Sequence, residues 1–161
     1  MADTGFTHLD SSGAARMVDV SGKDISVRTA TATGRVLVSA EVVALLRGGG
    51  VPKGDAIAVA RIAGIQAAKR TPDLVPLCHP IAIHGVTVDL EVLDDQVAIS
   101  ATVRTSDRTG VEMEALTCVA VAGLALIDMV KAVDPAATIT DIRVEEKTGG
   151  KTGLWQRTEA R

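Results

Sequence analysis

Apolar and polar positions fall into segments of different period along the chain. Ile25, Val27, Thr29, Thr31 and Thr33, then Val36 and Val38, alternate with small or charged residues. A period of two in β-branched residues predicts one long strand or two paired strands over 25–39. A short strand is predicted ahead of it, over 17–20. Residues 41–46 read as a short helix stopped by Gly48-Gly49-Gly50. Asp55 is placed to cap a second helix over 56–69. Thr71-Pro72 ends that helix, because the residue before a proline is disfavoured in helical geometry.

Pro72, Pro76 and Pro80 punctuate a loop over 70–80. Two strands follow, over 81–93 and 96–105, with Asp94-Asp95 at the turn. Residues 109–131 then run almost wholly apolar. Apart from Cys118, only Glu112, Glu114, Asp128 and Lys131 ionise there. This predicts a long helix, broken at Asp134-Pro135. A last strand is predicted over 138–145, followed by a glycine-rich tail over 147–153. Strands and helices interleave, with at least one hairpin and no repeat or long linker. That order predicts a single α+β domain over 1–161, an antiparallel sheet with helices packed on one face. Residues 1–16 and 154–161 read as tails.

Composition narrows the functional classes. Phe6 and Trp155 are the two aromatic residues among 161, and there is no Tyr. The core must be built from Val, Ile, Leu, Ala and Met, and a chain of this length can bury one without disulfides or metals. Readers of single-stranded RNA that stack bases on sheet aromatics are excluded. Seventeen basic and 20 acidic residues give a net charge of -3, which argues against nucleic acid or an anionic membrane as partner. Cys78 and Cys118 read as unpaired thiols and no secretory segment opens the chain, so a cytoplasmic location is expected. The apolar run over 115–127 is too short to span a bilayer, and Asp128 closes it.

Charges set in an apolar helix need partners and are the first candidates for chemistry. Glu114 and Asp128 are fourteen positions apart and fall within about 40° of one helical face. Asp128 and Lys131 are i, i+3 neighbours, either an ordinary edge ion pair or, in a partly desolvated setting, a proton-transfer couple. Glu112 has a complete structural explanation, because Thr109-Gly110-Val111-Glu112 fits a capping box with Thr109 as N-cap. Five cations, Arg47, Lys53, Arg61, Lys69 and Arg70, gather against one acid, Asp55. They suit an anionic ligand such as phosphate, although Lys69 and Arg70 also suit a helix C-terminus.

Cys78 and His79 sit side by side between prolines. A zinc site would need His84 or Cys118 to converge on them, and the plain alternatives are a buried thiol and a hydrogen-bonded imidazole. Gly149-Gly150-Lys151-Thr152 lacks the first glycine of a nucleotide-binding P-loop, since position 145 is Glu145. Lys147 and Lys151 in a glycine-rich segment could still close over a phosphate.

Taken together these segments resemble a known family. The matching blocks are Met-Val-Asp-Val at 17–20, Pro-Lys-Gly-Asp at 52–55, Ala-Arg-Ile-Ala-Gly-Ile-Gln-Ala-Ala-Lys-Arg-Thr at 60–71, Leu-Val-Pro-Leu-Cys-His-Pro at 74–80, Thr-Gly-Val-Glu-Met-Glu-Ala-Leu-Thr at 109–117, Asp-Met-Val-Lys-Ala-Val at 128–133 and Lys-Thr-Gly-Gly-Lys-Thr-Gly at 147–153. In these blocks the chain resembles the cyclic pyranopterin monophosphate synthases of molybdenum cofactor biosynthesis.

The resemblance implies a ferredoxin-like α+β protomer in a hexamer, a trimer of dimers. It implies a lyase acting on (8S)-3′,8-cyclo-7,8-dihydroguanosine 5′-triphosphate, with pyrophosphate released. It places Asp128, Lys131 and Lys53 in catalysis. It places Leu77, Cys78, His79, Met113, Glu114, Glu112, Lys69, Lys147 and Lys151 around the substrate. No metal ligand is expected, and whether Mg²⁺ accompanies the triphosphate stays open. Arg108 stands where many members carry Lys. Two other readings remain: another nucleotide cyclase or phosphohydrolase on the same fold, and a non-catalytic oligomeric nucleotide-binding module.

Overall fold

The computed structural model describes residues 7–158. The first six and last three residues of the predicted tails, Phe6 among them, lie outside the described residues. Five strands form one antiparallel sheet: β1 (Ser26–Leu37), β2 (Ile83–Val92), β3 (Gln96–Asp107), β4 (Thr138–Thr148) and β5 (Trp155–Gln156), in the order β2-β3-β1-β4-β5. The helices are α1 (Ala40–Gly48), α2 (Ala56–Ala68), the short α3 (Thr71–Leu74) and α4 (Glu112–Val130). Leaving out β5, α1 and α3, the chain reads β-α-β-β-α-β, with the first and third strands paired at the centre. This is a ferredoxin-like α+β arrangement.

The long alternation forms one strand, not two. β1 pairs with β3 from Ser26↔Asp107 to Leu37↔Gln96, and with β4 on its other side. Its buried face is Ala30, Ala32, Gly34 and Val36, while Ile25 and Val27 are exposed. The threonines point the other way and bond across strands: Thr29 to Thr148 at 2.5 Å and Thr31 to Thr102 at 2.8 Å. Two bulges interrupt the β1–β4 ladder. Asp141 lies in the second with φ 55° and is tied to Arg35 by an ion pair, which anchors a backbone angle that non-glycine residues seldom adopt.

The core lies between the sheet and α2 and α4. Val36, Val97, Ile99, Ala101 and Val103 of the sheet meet Ala115, Cys118, Val119, Ala122 and Leu126 of α4, with Ala56, Ala60 and Ala68 of α2 beside them. Small residues let the layers approach closely. A Cβ on Gly34 would stand 2.7 Å from Val119 Cγ1, and one on Gly64 would stand 3.0 Å from the Cys118 carbonyl oxygen. α4 is long and apolar enough to cross a membrane by length and composition, and its packing against both the sheet and its neighbour α2 accounts for that composition.

Several expected elements differ. Residues 17–20 are irregular rather than a strand, the 70–80 loop contains α3, and β4 runs on to Thr148. Residues 155–156, expected in a tail, form β5 on the edge of β4. The close approach of α4 to β1 gives a test. Gly34→Val should lower stability by about 1–3 kcal/mol through overpacking against Val119 and Ile142, read as a lower midpoint in urea unfolding with an unchanged slope.

Candidate functional site

Asp128 sits two residues before the C-terminal end of α4 and receives two ammonium groups. Lys131 Nζ donates to Oδ1 at 2.8 Å and Lys53 Nζ donates to Oδ2 at 3.1 Å. Lys131 is delivered by helical spacing. Lys53 arrives from the turn between α1 and α2, where Gly54 takes φ 106° and Asp55 caps α2 by accepting from Ala58 N at 2.9 Å. The hydrogen bond from Lys131, then that from Lys53, holds the Asp128 carboxyl below its usual range.

The desolvated setting expected for Asp128 is corrected by the structure. Its side chain is 56 % exposed, although Met129 and Val130 beside it are buried. Successive helical residues are 100° apart, so an apolar run in sequence need not bury every position in it. Two cations on one anion leave a local net charge of +1 in a solvent-open position.

A second group of predicted residues gathers at the other end of α4. The expected capping box is absent. The N-cap is Val111, with no side-chain cap bond, and Glu112 is the first helical residue. Its carboxylate accepts instead from Lys147 Nζ, 2.8 Å away at the end of β4. The helix starts two residues later than the box requires, and a charged partner takes the carboxylate that the box would have used. Glu114 is 3 % exposed, and burial raises its pKa. Burial, then the charge of Glu114, raises the Cys78 thiol.

Cys78 and Leu77 are half-buried, and Met113 is exposed. His79 Nε2 lies 2.5 Å from the Val18 carbonyl oxygen, which makes it a hydrogen-bonded imidazole that pins the irregular 17–20 stretch. Lys69 caps the C-terminus of α2 and is exposed. α2 runs antiparallel to α4, since Gly64 abuts Cys118 and Ala122 while Lys53, ahead of α2, reaches Asp128. Lys69 therefore lies toward the Glu112 end.

Two hollows flank this end. One, of about 430 Å³, has His79, Asp19, Arg108 and Thr109 in its wall. The other, of about 640 Å³, is lined by Lys23, Ser26, Arg28, Gly150 and Lys151. Arg28, outside the candidate residues of the sequence, lines this second hollow. Its Nε donates to the Asp107 carbonyl at 3.1 Å and an Nη to that of Arg108 at 3.3 Å. Its signal in the sequence is a guanidinium interrupting an apolar-and-threonine strand. Gly149 and Gly150, at φ 91° and 69°, lie against Val27 and Arg28 so closely that a Cβ would collide.

Asp128 and Glu112 are sixteen residues apart on one helix, roughly 24 Å along its axis. The structure thus forms two cation-bearing clusters rather than one. Cys118 is fully buried, its thiol pushed up to about 12 by burial, and it takes no part in either. Among the described residues, no three His, Cys, Asp or Glu side chains converge as a metal cage.

A sequence profile of the MoaC family matches residues 17–150. This chain belongs to the MoaC family. Both clusters lie within the matched span. A MoaC relative from Nocardioides sp., named cyclic pyranopterin monophosphate synthase, is 73 % identical over 155 residues, covering 94 % of this chain and 95 % of the relative. One of the same name from Streptomyces avermitilis is 70 % identical, covering 97 % and 92 %. Cyclic pyranopterin monophosphate synthase 2 of Mycobacterium tuberculosis is 60 % identical, covering 94 % and 91 %.

The paired ammonium groups set the ionisation of Asp128. A carboxyl titration followed by NMR should place it below an ordinary aspartate, and Lys131→Ala should move it back up. The sign follows from linkage. Whatever stability this pairing contributes is present above the unfolded aspartate value and is lost as pH falls through the lowered one.

Proposed function

We propose that this MoaC-family chain is a cyclic pyranopterin monophosphate synthase. It is a cytoplasmic lyase of molybdenum cofactor biosynthesis that converts (8S)-3′,8-cyclo-7,8-dihydroguanosine 5′-triphosphate to cyclic pyranopterin monophosphate and pyrophosphate. The observation that carries the catalytic assignment is the Asp128 carboxylate held by both Lys53 and Lys131. It supplies a base that stays ionised and two acids beside it.

Closing the cyclic phosphate requires an oxygen to attack the α-phosphorus while pyrophosphate leaves. Lys53, Lys147, Lys151, Lys69 and Arg28 are the cations that would neutralise the triphosphate and its leaving group. Rearranging the sugar-linked purine to a pterin requires proton transfers and a hydrolytic opening, for which Asp128 and Lys131 are the assigned pair. Burial pushes the Glu114 carboxyl up, toward the range in which a carboxyl can exchange a proton with a ligand. Leu77, Cys78, His79, Met113 and Glu112 would wall the base. A Mg²⁺ ion bound to the triphosphate is compatible with this scheme, and no protein cage for it is assigned.

One protomer holds the two clusters too far apart for a compact cyclised nucleotide to touch both. We therefore assign the complete site to a seam between copies, the Asp128 cluster from one and the Lys147–Glu112 cluster from another, within a trimer of dimers. Exposed Val59, Ile62, Leu74 and Leu124 on the helical layer supply apolar surface for such assembly.

The purified protein offered the cyclised nucleotide should yield an oxidised pterin fluorophore. Asp128→Ala should lower turnover by roughly 10²–10⁴-fold with the oligomer unchanged by light scattering. A non-catalytic nucleotide module would give neither fluorophore nor dependence on Asp128, and another cyclase would release pyrophosphate without a pterin. Subunit sharing has its own test. Lys131→Ala and Lys147→Ala chains, each inactive alone, should recover about a quarter of the wild-type rate when unfolded and refolded together. Half of randomly formed dimers would then carry one intact site of their two. No recovery would place both lysines in the same protomer's site.

A further inference from the structure

The family profile stops at residue 150, yet the chain beyond it folds back onto the strand that carries Lys147. In the β4–β5 ladder Trp155 stands opposite Lys147 and Gln156 opposite Glu146. Gln156 Nε2 donates to Glu146 Oε2 at 2.7 Å. Arg157 donates twice, its backbone N–H to the Glu145 carbonyl at 2.7 Å and its Nε to the Val144 carbonyl at 2.8 Å. Its guanidinium lies 5.8 Å from the Trp155 ring centroid, within cation–π range. Glu145 in turn accepts from Thr33 Oγ1 at 2.6 Å, which ties the fastening to β1.

A two-residue edge strand adds little to the sheet, but it is fastened by contacts from three consecutive residues. The chain's one tryptophan occupies the position facing Lys147 and is 38 % exposed there. Directly opposed residues of an antiparallel pair share a face, with Cβ atoms about 4.5–5.5 Å apart. The register therefore sets the Cβ of Trp155 beside that of Lys147, whose ammonium is already drawn to Glu112. A flat, two-torsion side chain next to a flexible stem removes some of its rotamers before a ligand arrives, which reduces the ordering cost of binding.

We propose that β5 is a strap that preorganises Lys147, and that Trp155 is the positioning residue within it for anionic substrate. This rests on the reading that Lys147 grips a substrate phosphate. Trp155 touches no reacting atom, so its contribution falls on binding rather than on the chemical step.

Steady-state kinetics on the full chain test the strap. Trp155→Ala should raise KM for the cyclised nucleotide by about 5–10-fold with kcat within about twofold, at an unchanged oligomeric state, and Trp155→Phe should restore KM. An unchanged KM, a loss confined to kcat, or failure of phenylalanine to rescue would overturn the proposal. The lone tryptophan also gives a readout that needs no turnover. Its emission should change saturably on titration of the wild-type protein with inorganic tripolyphosphate, and should not do so in Lys147→Ala. A flat wild-type titration would overturn the strap. A Lys147-dependent response in a protein that makes no pterin would support the strap while defeating the proposed reaction. Pterin formation with a flat titration would defeat the strap alone.

Discussion

The seating of α4 decides the rest of the molecule. The chain has almost no aromatic bulk, so it fills its core by closeness. Gly34 lies under Val119, Gly64 lies against the Cys118 carbonyl, and Gly123 faces Val36 and Ile139. Interiors packed to this density transmit displacement rather than absorb it. A helix wedged at three glycines has little freedom to slide or turn. Its two ends then become fixed reference points, and the lysines that pair with its carboxylates there arrive from other elements: Lys53 from the turn before α2, Lys147 from the end of β4.

The two ends differ in electrostatic character. At one, two ammonium groups and solvent keep Asp128 ionised. At the other, desolvation pushes Glu114 toward its neutral form, and it does the same for the Cys78 thiol close by. Two carboxyls on one helix are thereby pushed in opposite directions, the arrangement that separates a base from an acid at a single pH. The difference comes from burial and partners rather than from residue type. Both carboxyls lie close to the same helical face in projection, but only Glu114 is covered by its own chain.

Legibility in the sequence followed the range of the interaction. Periodicity located β1, α2, the β2–β3 hairpin and α4 to within a few residues, because each is a local pattern. The i, i+3 relation of Asp128 and Lys131 was visible for the same reason. The bond from Lys53 to Asp128 spans 75 positions, and only the fold could bring those groups to 3.1 Å. Local signals failed where a distant partner competed. The capping box lost Glu112 to Lys147, and residues 17–20 gave up strand geometry and lie where the Val18 carbonyl meets His79. Alternation in β1 did not reveal which face is buried, since small residues (Ala30, Ala32, Gly34) with Val36 are turned inward while the β-branched Val27 and the threonines face out. Arg28 stands apart from the clustered charge of 47–70, and only the fold brings it against Gly149 and Gly150.

Exposed ion pairs contribute little to stability, so the Asp128 triad is poorly explained as a structural device in an isolated protomer. It has two amines for one carboxylate and stands open to solvent in a chain of net negative charge. Such a cluster gains value when a polyanion and a second surface cover it, because both the Coulomb attraction and the shift in proton affinity strengthen as water is excluded. A site split between copies would make that exclusion part of assembly. Neither cluster alone would hold the substrate well, and the surrounding protein would lower the dielectric only where both meet. On the proposed reading the length of α4 would keep the two half-sites of one chain apart, so that each would be completed by a neighbour.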